Sequence, residues 1–283
     1  MGTGAPRRFD TVTLTAMNVG VLGGGRMGEA LTAGLLSAGW DASTLAVAEV
    51  DPDRRHHLEE RLPGVRVVPS PAWAAADAEL LVVAVKPHDV PAALEACASA
   101  LPEHSLVLSI AAGVTLSTIE AAVPGRPVVR AMPNTAAIVG HSASAIAGGA
   151  LALEDHLLLA ERVLGSVGTV ARVPEEHLDA VTAVSGSGPA YAFLLAEAMV
   201  EAGVLVGLPR ASADALVRQT LLGAATLLAE SGESPEALRA AVTSPGGTTA
   251  AAIKALETHG FRAAVLDAVE AAARRSRELD GST

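Results

Sequence analysis

The stretch from Asn18 to Ala30, NVGVLGGGRMGEA, constrains the fold more than any other part of the chain. Val19, Val21 and Leu22 make an apolar run with no polar side chain, which suits a strand buried on both faces of a parallel sheet. Gly23, Gly25 and Gly28 then fit G-x-G-x-x-G, and Ala30, Leu31, Ala33, Leu35 and Leu36 read as an apolar helix. Each glycine has a physical task. Gly23 lets the chain leave the strand in a tight turn. Gly25, having no Cβ, leaves room for a pyrophosphate against the backbone, and Gly28 lets the helix pack close on the strand. The unpaired N–H groups and positive dipole end of that helix then face the phosphates. A glycine-rich turn alone is a common structural device. Here the strand before it and the helix after it supply the context that a dinucleotide site requires.

At 283 residues the chain has room for one large or two ordinary domains. Half of it is hydrophobic but only 2% is aromatic, so the core is built from small and aliphatic side chains. A net charge of −11 argues against nucleic-acid and anionic-membrane partners. The lone cysteine, Cys97, can form neither an intrachain disulfide nor a thiolate cluster, which fits a reducing, cytoplasmic setting. The histidines form no His-x-x-x-His pair, so no metal site is expected. No uninterrupted apolar run reaches the roughly 18–20 residues of a membrane span. Residues 1–16 read as a disordered or misassigned N-terminal tail, with Met17 just ahead of the first strand.

Along the chain, strands are expected at Leu45–Glu49, Val65–Val68, Leu80–Val85, Leu106–Ile110 and Val128–Met132. Helices are expected at Pro52–Leu62, Ser70–Ala76 (capped by Ser70), His88–Ala100 and Thr115–Ala121. This alternation predicts a doubly wound parallel sheet, whose ligands lie outside the carboxyl ends of the strands. Three such ends carry unusual residues. Lys86 is one of only two lysines, and it could meet a phosphate or a ribose hydroxyl or simply be solvated. Ala111–Ala112 would let a nicotinamide lie close to the backbone, and Asn134 ends the strand at Val128–Met132. Glu49 has the spacing of an acidic residue that bonds the adenosine ribose, while Arg54 and Arg55 could hold a 2′-phosphate or form a solvated helix face. The residues alone leave NAD against NADP open.

Residues 143–173 read as a strand, a helix at Glu154–Leu164 and a strand at Thr169–Val173. From Glu175 onward everything reads as helix, which puts a domain boundary near Pro174: 17–173 for the dinucleotide domain and 174–283 for an all-helical one. In Tyr191–Val206 only Glu197 and Glu201 are charged, and in Leu216–Ala229 only Arg218 is. A helix apolar on every side must be buried, and about 110 residues cannot bury two such helices unaided, so a homodimer is expected.

The helical half carries a second glycine-rich turn, Ser244–Pro–Gly–Gly–Thr–Thr249. Gly246 and Gly247 permit a turn, and Thr248 or Thr249 is expected to cap the next helix. With no charged side chain from Val242 to Ile253, its N–H groups and hydroxyls make a carboxylate-sized anion site, or else an ordinary interhelical turn. In Ser185–Gly–Ser–Gly–Pro–Ala–Tyr191, Ser187 is expected as an N-cap.

These segments, with Ala84–Pro87, Ala111–Thr115, Val129–Thr135 and Asp179–Tyr191, resemble the pyrroline-5-carboxylate reductase family over about Asn18–Leu279. The resemblance implies an N-terminal Rossmann-type dinucleotide-binding domain followed by an all-α dimerisation domain. It also implies hydride transfer from NAD(P)H to 1-pyrroline-5-carboxylate, the last step of proline biosynthesis. NADPH is implied as the preferred cofactor. It would lie over Leu22, Gly23, Gly24, Gly25, Arg26, Met27 and Gly28, then over Ala84, Val85, Lys86 and Pro87, and over Ile110, Ala111 and Ala112, with Glu49, Arg54 and Asn134 nearby. Relatives that prefer NADPH often have Ser where this chain has Glu49, which keeps NADH open. The imine would lie at a dimer interface. Its carboxylate would meet Ser244, Gly247, Thr248 and Thr249, its ring nitrogen the Thr249 hydroxyl, and a backbone carbonyl near Gly232 would complete the site. Dimers that assemble into pentamers of dimers are also implied. The alternatives are a 3-hydroxy-acid dehydrogenase or other imine reductase of the same plan, for which Lys254 is the only helical-half lysine, and a non-enzymatic cofactor-binding sensor.

Overall fold

The computed structural model describes residues 16–280, so the expected tail lies, but for its last residue, outside the described residues. Strands β1 (Val19–Leu22), β2 (Leu45–Ala48), β3 (Arg66–Val68), β4 (Leu80–Val83), β5 (Leu106–Ser109), β6 (Val128–Met132), β7 (Ser142–Gly148) and β8 (Gly168–Arg172) form one sheet in the order β3-β2-β1-β4-β5-β6-β7-β8. β1 pairs in parallel with β2 on one side and β4 on the other, in register from Val19↔Leu45 and Val19↔Leu80. The chain order therefore reverses at β1, the switch point at which doubly wound sheets take their ligands. β1, β2, β4 and β5 are buried at every position, which is why they read as continuous apolar runs.

Helices cover both faces of this sheet: α1 (Arg26–Ser37), α2 (Pro52–Arg61), α3 (Pro71–Ala75), α4 (Val90–Glu95), α5 (Leu116–Ala122) and α6 (Glu154–Gly165). One core packs Leu31, Leu35 and Val163 against Val21 and Leu108, and the other packs Leu94, Cys97 and Ile119 against Leu81 and Val107. Burial pushes the Cys97 thiol up to about 11.

One strand reverses direction, and two local expectations are corrected. β7 runs antiparallel to β6, because residues 133–141 are too short for a crossover of about a dozen residues or more. They instead turn back through a 3-10 turn at Thr135–Val139 and Gly140, whose φ is +74. The helix expected over His88–Ala100 is broken. A 3-10 turn at Pro87–Asp89 precedes α4, and after Glu95 the chain winds in short turns whose carbonyls at Ala98, Leu101 and Pro102 accept from the Arg126 guanidinium. Ser70 does stand at the N-cap of α3, but its hydroxyl makes no capping bond.

The strand pattern ends at β8, yet the compact units divide later: residues 16–187 with 272–280 form one, and 188–271 the other. The short helix α7 (Leu178–Val181) stays with the sheet because Leu178 is buried in its core. Ser187 is not an N-cap. It closes a π-turn over Thr182–Gly186, its N–H donating to the Thr182 carbonyl at 2.7 Å.

The second unit holds α8 (Gly188–Leu205), α9 (Arg210–Glu230), α10 (Pro235–Ala241), α11 (Thr248–Thr258) and the first part of α12 (Phe261–Asp280). α8 and α9 pack together, but only Val200, Ala213 and Val217 are buried among their hydrophobics. Leu205 is 87% exposed and Phe193 65%. The expectation that no apolar run is long enough to span a membrane is also corrected. Within Glu175–Leu205 one 18-residue window reaches a mean hydropathy of 1.3, enough by length and composition alone to cross a membrane.

The close seat of α1 on β1 is directly testable. A Cβ on Gly28 would stand 2.0 Å from the Gly23 carbonyl oxygen. Gly28→Ala is therefore expected to cost about 1–3 kcal/mol and lower the thermal midpoint by several degrees. An unchanged melting curve would contradict this packing.

Candidate active site

The glycine turn has the geometry its sequence requires. Gly23 has φ +100, and its N–H donates to the Ala48 carbonyl at 2.9 Å. Gly25 is the N-cap of α1 and so offers no side chain to bond the first-turn N–H groups. A Cβ built on Gly25 would meet nothing within 4 Å, so its outer face is open. An uncapped helix N-terminus behind an open backbone face is what a pyrophosphate needs, and the residues present fit a dinucleotide. Arg26 is exposed at the first helical position. Leu22 is buried and contributes only backbone, its carbonyl accepting from Ala84 N at 2.8 Å.

The carboxyl ends of β1, β4, β5 and β6 lie side by side, and the segments following them frame a cleft of about 300 Å³. It is lined by Met27, Ala84, Val85, Pro87, Ile110, Ala111, Ala112 and Asn134 from among the expected cofactor residues. Lys86 does not line it and is exposed. Four lining residues were not expected as site residues: Met132, Pro133, Thr135 and Gly186. The signal for the first three was Pro133 placed directly after a strand end. Gly186 reads in the sequence only as part of a turn ahead of a helix. The structure holds that turn against the cleft wall through Asn134, whose Nδ2 donates to the Ser185 carbonyl at 3.0 Å while its Oδ1 accepts from Ala136 N at 3.2 Å.

At the other end of the glycine turn, Glu49 follows β2. Its Oε2 accepts from Gly24 N and its Oε1 from Asp51 N, both at 3.0 Å. Arg54 Nε donates to the Gly24 carbonyl at 2.7 Å and Nη2 to Glu29 Oε2 at 2.5 Å. Arg55 Nη1 donates to the carbonyls of Glu49 and Val50. Burial opposes ionisation of Glu29, but Arg54, His57 and Arg61 outweigh it and hold its carboxyl below the usual range.

In the helical unit, the N-cap of α11 is Gly247, not Thr248 or Thr249, because Gly247 takes the extended backbone (φ −77, ψ 173) and both threonines lie inside the helix. Gly246 has φ +71, and Gly247 N donates to the Ser244 carbonyl at 3.1 Å. A Cβ on Gly247 would stand 2.4 Å from Ser244 Oγ, so this turn is closely packed. Thr248 is exposed and Thr249 half-buried. The first turn of α11 is thus uncapped by any side chain, as at α1. Gly232, with φ +70, follows the end of α9, the position at which glycine commonly stops a helix.

Two family models match the chain. One, described as pyrroline-5-carboxylate reductase dimerisation, covers residues 175–279, and one, described as NADP oxidoreductase coenzyme F420-dependent, covers residues 18–113. The chain is similar to the pyrroline-5-carboxylate reductase of Mycobacterium tuberculosis, with 46% identity over 285 residues, covering 92% of this chain and 96% of that one. It is 44% identical over 265 residues to the Synechocystis enzyme of the same name, covering 93% and 98%. Among solved structures it is similar to the Coxiella burnetii pyrroline-5-carboxylate reductase, with a TM-score of 0.88, 38% identity, and 93% and 98% of the two chains covered. A Plasmodium falciparum structure described as pyrroline carboxylate reductase with NADP bound gives a TM-score of 0.82 at 28% identity, covering 93% and 98%.

Gly25 and Gly28 separate binding from folding. Gly25 has an ordinary φ of −64 and open space around it, so Gly25→Ala is expected to leave the melting temperature within about one degree. Dinucleotide affinity, measured by calorimetric titration, should fall by about tenfold or more, since a methyl would stand between backbone and pyrophosphate. Undiminished affinity would mean that this face is not the phosphate seat.

Proposed function

The chain belongs to the pyrroline-5-carboxylate reductase family and reduces 1-pyrroline-5-carboxylate to L-proline, the final step of proline biosynthesis, and we propose that its two units divide that work. The sheet unit takes the cofactor. The observation that carries this assignment is the open, uncapped glycine turn beside the small-residue cleft at the sheet's switch point. When bound there, a reduced nicotinamide dinucleotide supplies the hydride that the imine carbon accepts. Backbone groups of Gly23–Gly28 hold the pyrophosphate, and Ala84, Ala111 and Ala112 leave room for the nicotinamide half. The resemblance implies NADPH as donor with NADH open, and Glu49 is the residue that weighs on that choice.

The helical unit takes the substrate. The N–H groups of Gly247, Thr248 and Thr249 at the start of α11 hold its carboxylate, beside Ser244. The Thr249 hydroxyl hydrogen-bonds the ring nitrogen, and a backbone carbonyl near Gly232 completes the contacts. Segments 185–191 and 243–249 contain no Asp, Glu, His or Lys. The ring nitrogen therefore arrives protonated or takes its proton through water, and the rate comes from orientation more than from acid catalysis.

The exposed apolar surface of α8 and α9 supports a homodimer, and a pentamer of dimers is the larger assembly we propose. The single buried cysteine fits a cytoplasmic enzyme.

Two measurements test this reading. Thr249→Val removes one neutral hydrogen bond, worth about 0.5–1.5 kcal/mol, so kcat/KM should fall about 3–15-fold with cofactor affinity and folding retained. Full activity would make Thr249 a helix residue only. Static light scattering should give at least twice the chain mass, and a stable monomer would contradict the expected covering of α8 and α9.

A further inference from the structure

We infer that the adenosine end of the nucleotide seat is built against a 2′-phosphate, so that this chain prefers NADH, and that Glu29 is the positioning residue that keeps it so. The inference rests on the reading that the glycine turn holds the dinucleotide. In such folds the residue after the second strand meets the adenosine ribose: a carboxylate accepts from its hydroxyls, and a nearby arginine accommodates a 2′-phosphate. Both residue types are present here, so their geometry decides.

Glu49 is not free to swing away. Its two oxygens are held by the backbone N–H groups of Gly24 and Asp51, which fixes a negative charge against the glycine turn itself. Carboxylate oxygens each have a second lone pair, so Glu49 can still accept from ribose hydroxyls while it repels a phosphate dianion. Arg26 lies in the turn itself and is exposed, whereas Arg54 is turned onto the protein. Its Nε is committed to the Gly24 carbonyl, and its Nη2 to Glu29, whose side chain is only 20% exposed. Glu29 sits in the first turn of α1 and also draws Arg61, at 3.6 Å, and His57, at 3.5 Å. One carboxylate on the phosphate-binding helix thus faces three basic groups of α2, with its shortest bond to Arg54. Arg55 is anchored to carbonyls instead of to a carboxylate and keeps its charge, so it is the group through which NADPH retains weaker binding.

The test is dissociation constants for NADH and NADPH, from the change in nicotinamide fluorescence on titration, for the full chain and three variants. The wild-type chain is expected to bind NADH at least about tenfold more tightly than NADPH. Glu49→Ser should shrink that ratio by about fivefold or more. Glu29→Gln should release Arg54 and tighten NADPH several-fold without a matching gain for NADH. Adding Arg54→Ala to Glu29→Gln should abolish that gain, which a merely structural role for Glu29 would not produce. Wild-type protein binding NADPH as tightly as NADH, or Glu29→Gln weakening both alike, would overturn the inference. Failure to bind either dinucleotide would refute the cleft itself, and the inference with it, and is distinguished by the absence of any titration signal.

Discussion

The approach of backbone to backbone at the first turn sets the rest of the structure. Position 28 has space only for a glycine, because the Gly23 carbonyl lies where a Cβ would be, and position 20 is closed in the same way by the Ala74 carbonyl. These contacts draw α1 and α3 onto β1 and place the α1 N-terminus at the carboxyl end of the central strand. Because β2 and β4 flank β1, the chain leaves it in opposite directions on either side, and the crevice between those paths is where a ligand fits. The open α1 N-terminus, the cleft lined by Ala84 and Ala111, and Glu49 after β2 are all arranged from this one turn.

The two units stand in different energetic positions. The sheet unit buries whole strands and the apolar faces of its helices, and its polar ends are satisfied by Asp51, Thr115 and Asn134 as side-chain caps. The helical unit buries little of its apolar surface, although α8 has almost no polar side. Water-exposed apolar surface costs about 25 cal/mol per Å², so such helices are stable when something covers them. The match to a dimerisation family over residues 175–279 puts that requirement in the same segment as the turn at Ser244–Thr249 proposed for the substrate.

Much of this was legible in the residues. The glycine spacing, the apolar strands and the change to helix after Pro174 each arise from local physics, and the structure follows them within a residue or two. What was not legible depends on partners distant in sequence. Arg126 collects the carbonyls that end the helix after Glu95, and nothing near residue 95 announces it. The reversal of β7 depends on the length of a link whose 3-10 turn is not periodic. Ser187 has the residue type and the following Pro189 of an N-cap, but the chain before it is already wound into a π-turn that Asn134 holds from across the fold. In the site, alanines at strand ends revealed the cleft, whereas Met132 and Gly186 join it only through tertiary packing. The partners of Glu49 and Arg54 were not legible either, because the Gly24 backbone and Glu29 that hold them lie about 25 residues away in the sequence.

In the proposed reaction, hydride moves from a dinucleotide seated at the switch point to the imine carbon of 1-pyrroline-5-carboxylate. The most direct measurement uses reduced dinucleotide deuterated at the transferring position of the nicotinamide, with mass spectrometry of the product. The expected product is L-proline with one deuterium on the former imine carbon, formed in step with oxidised dinucleotide. Proline without deuterium, or dinucleotide oxidation with no proline, would contradict it.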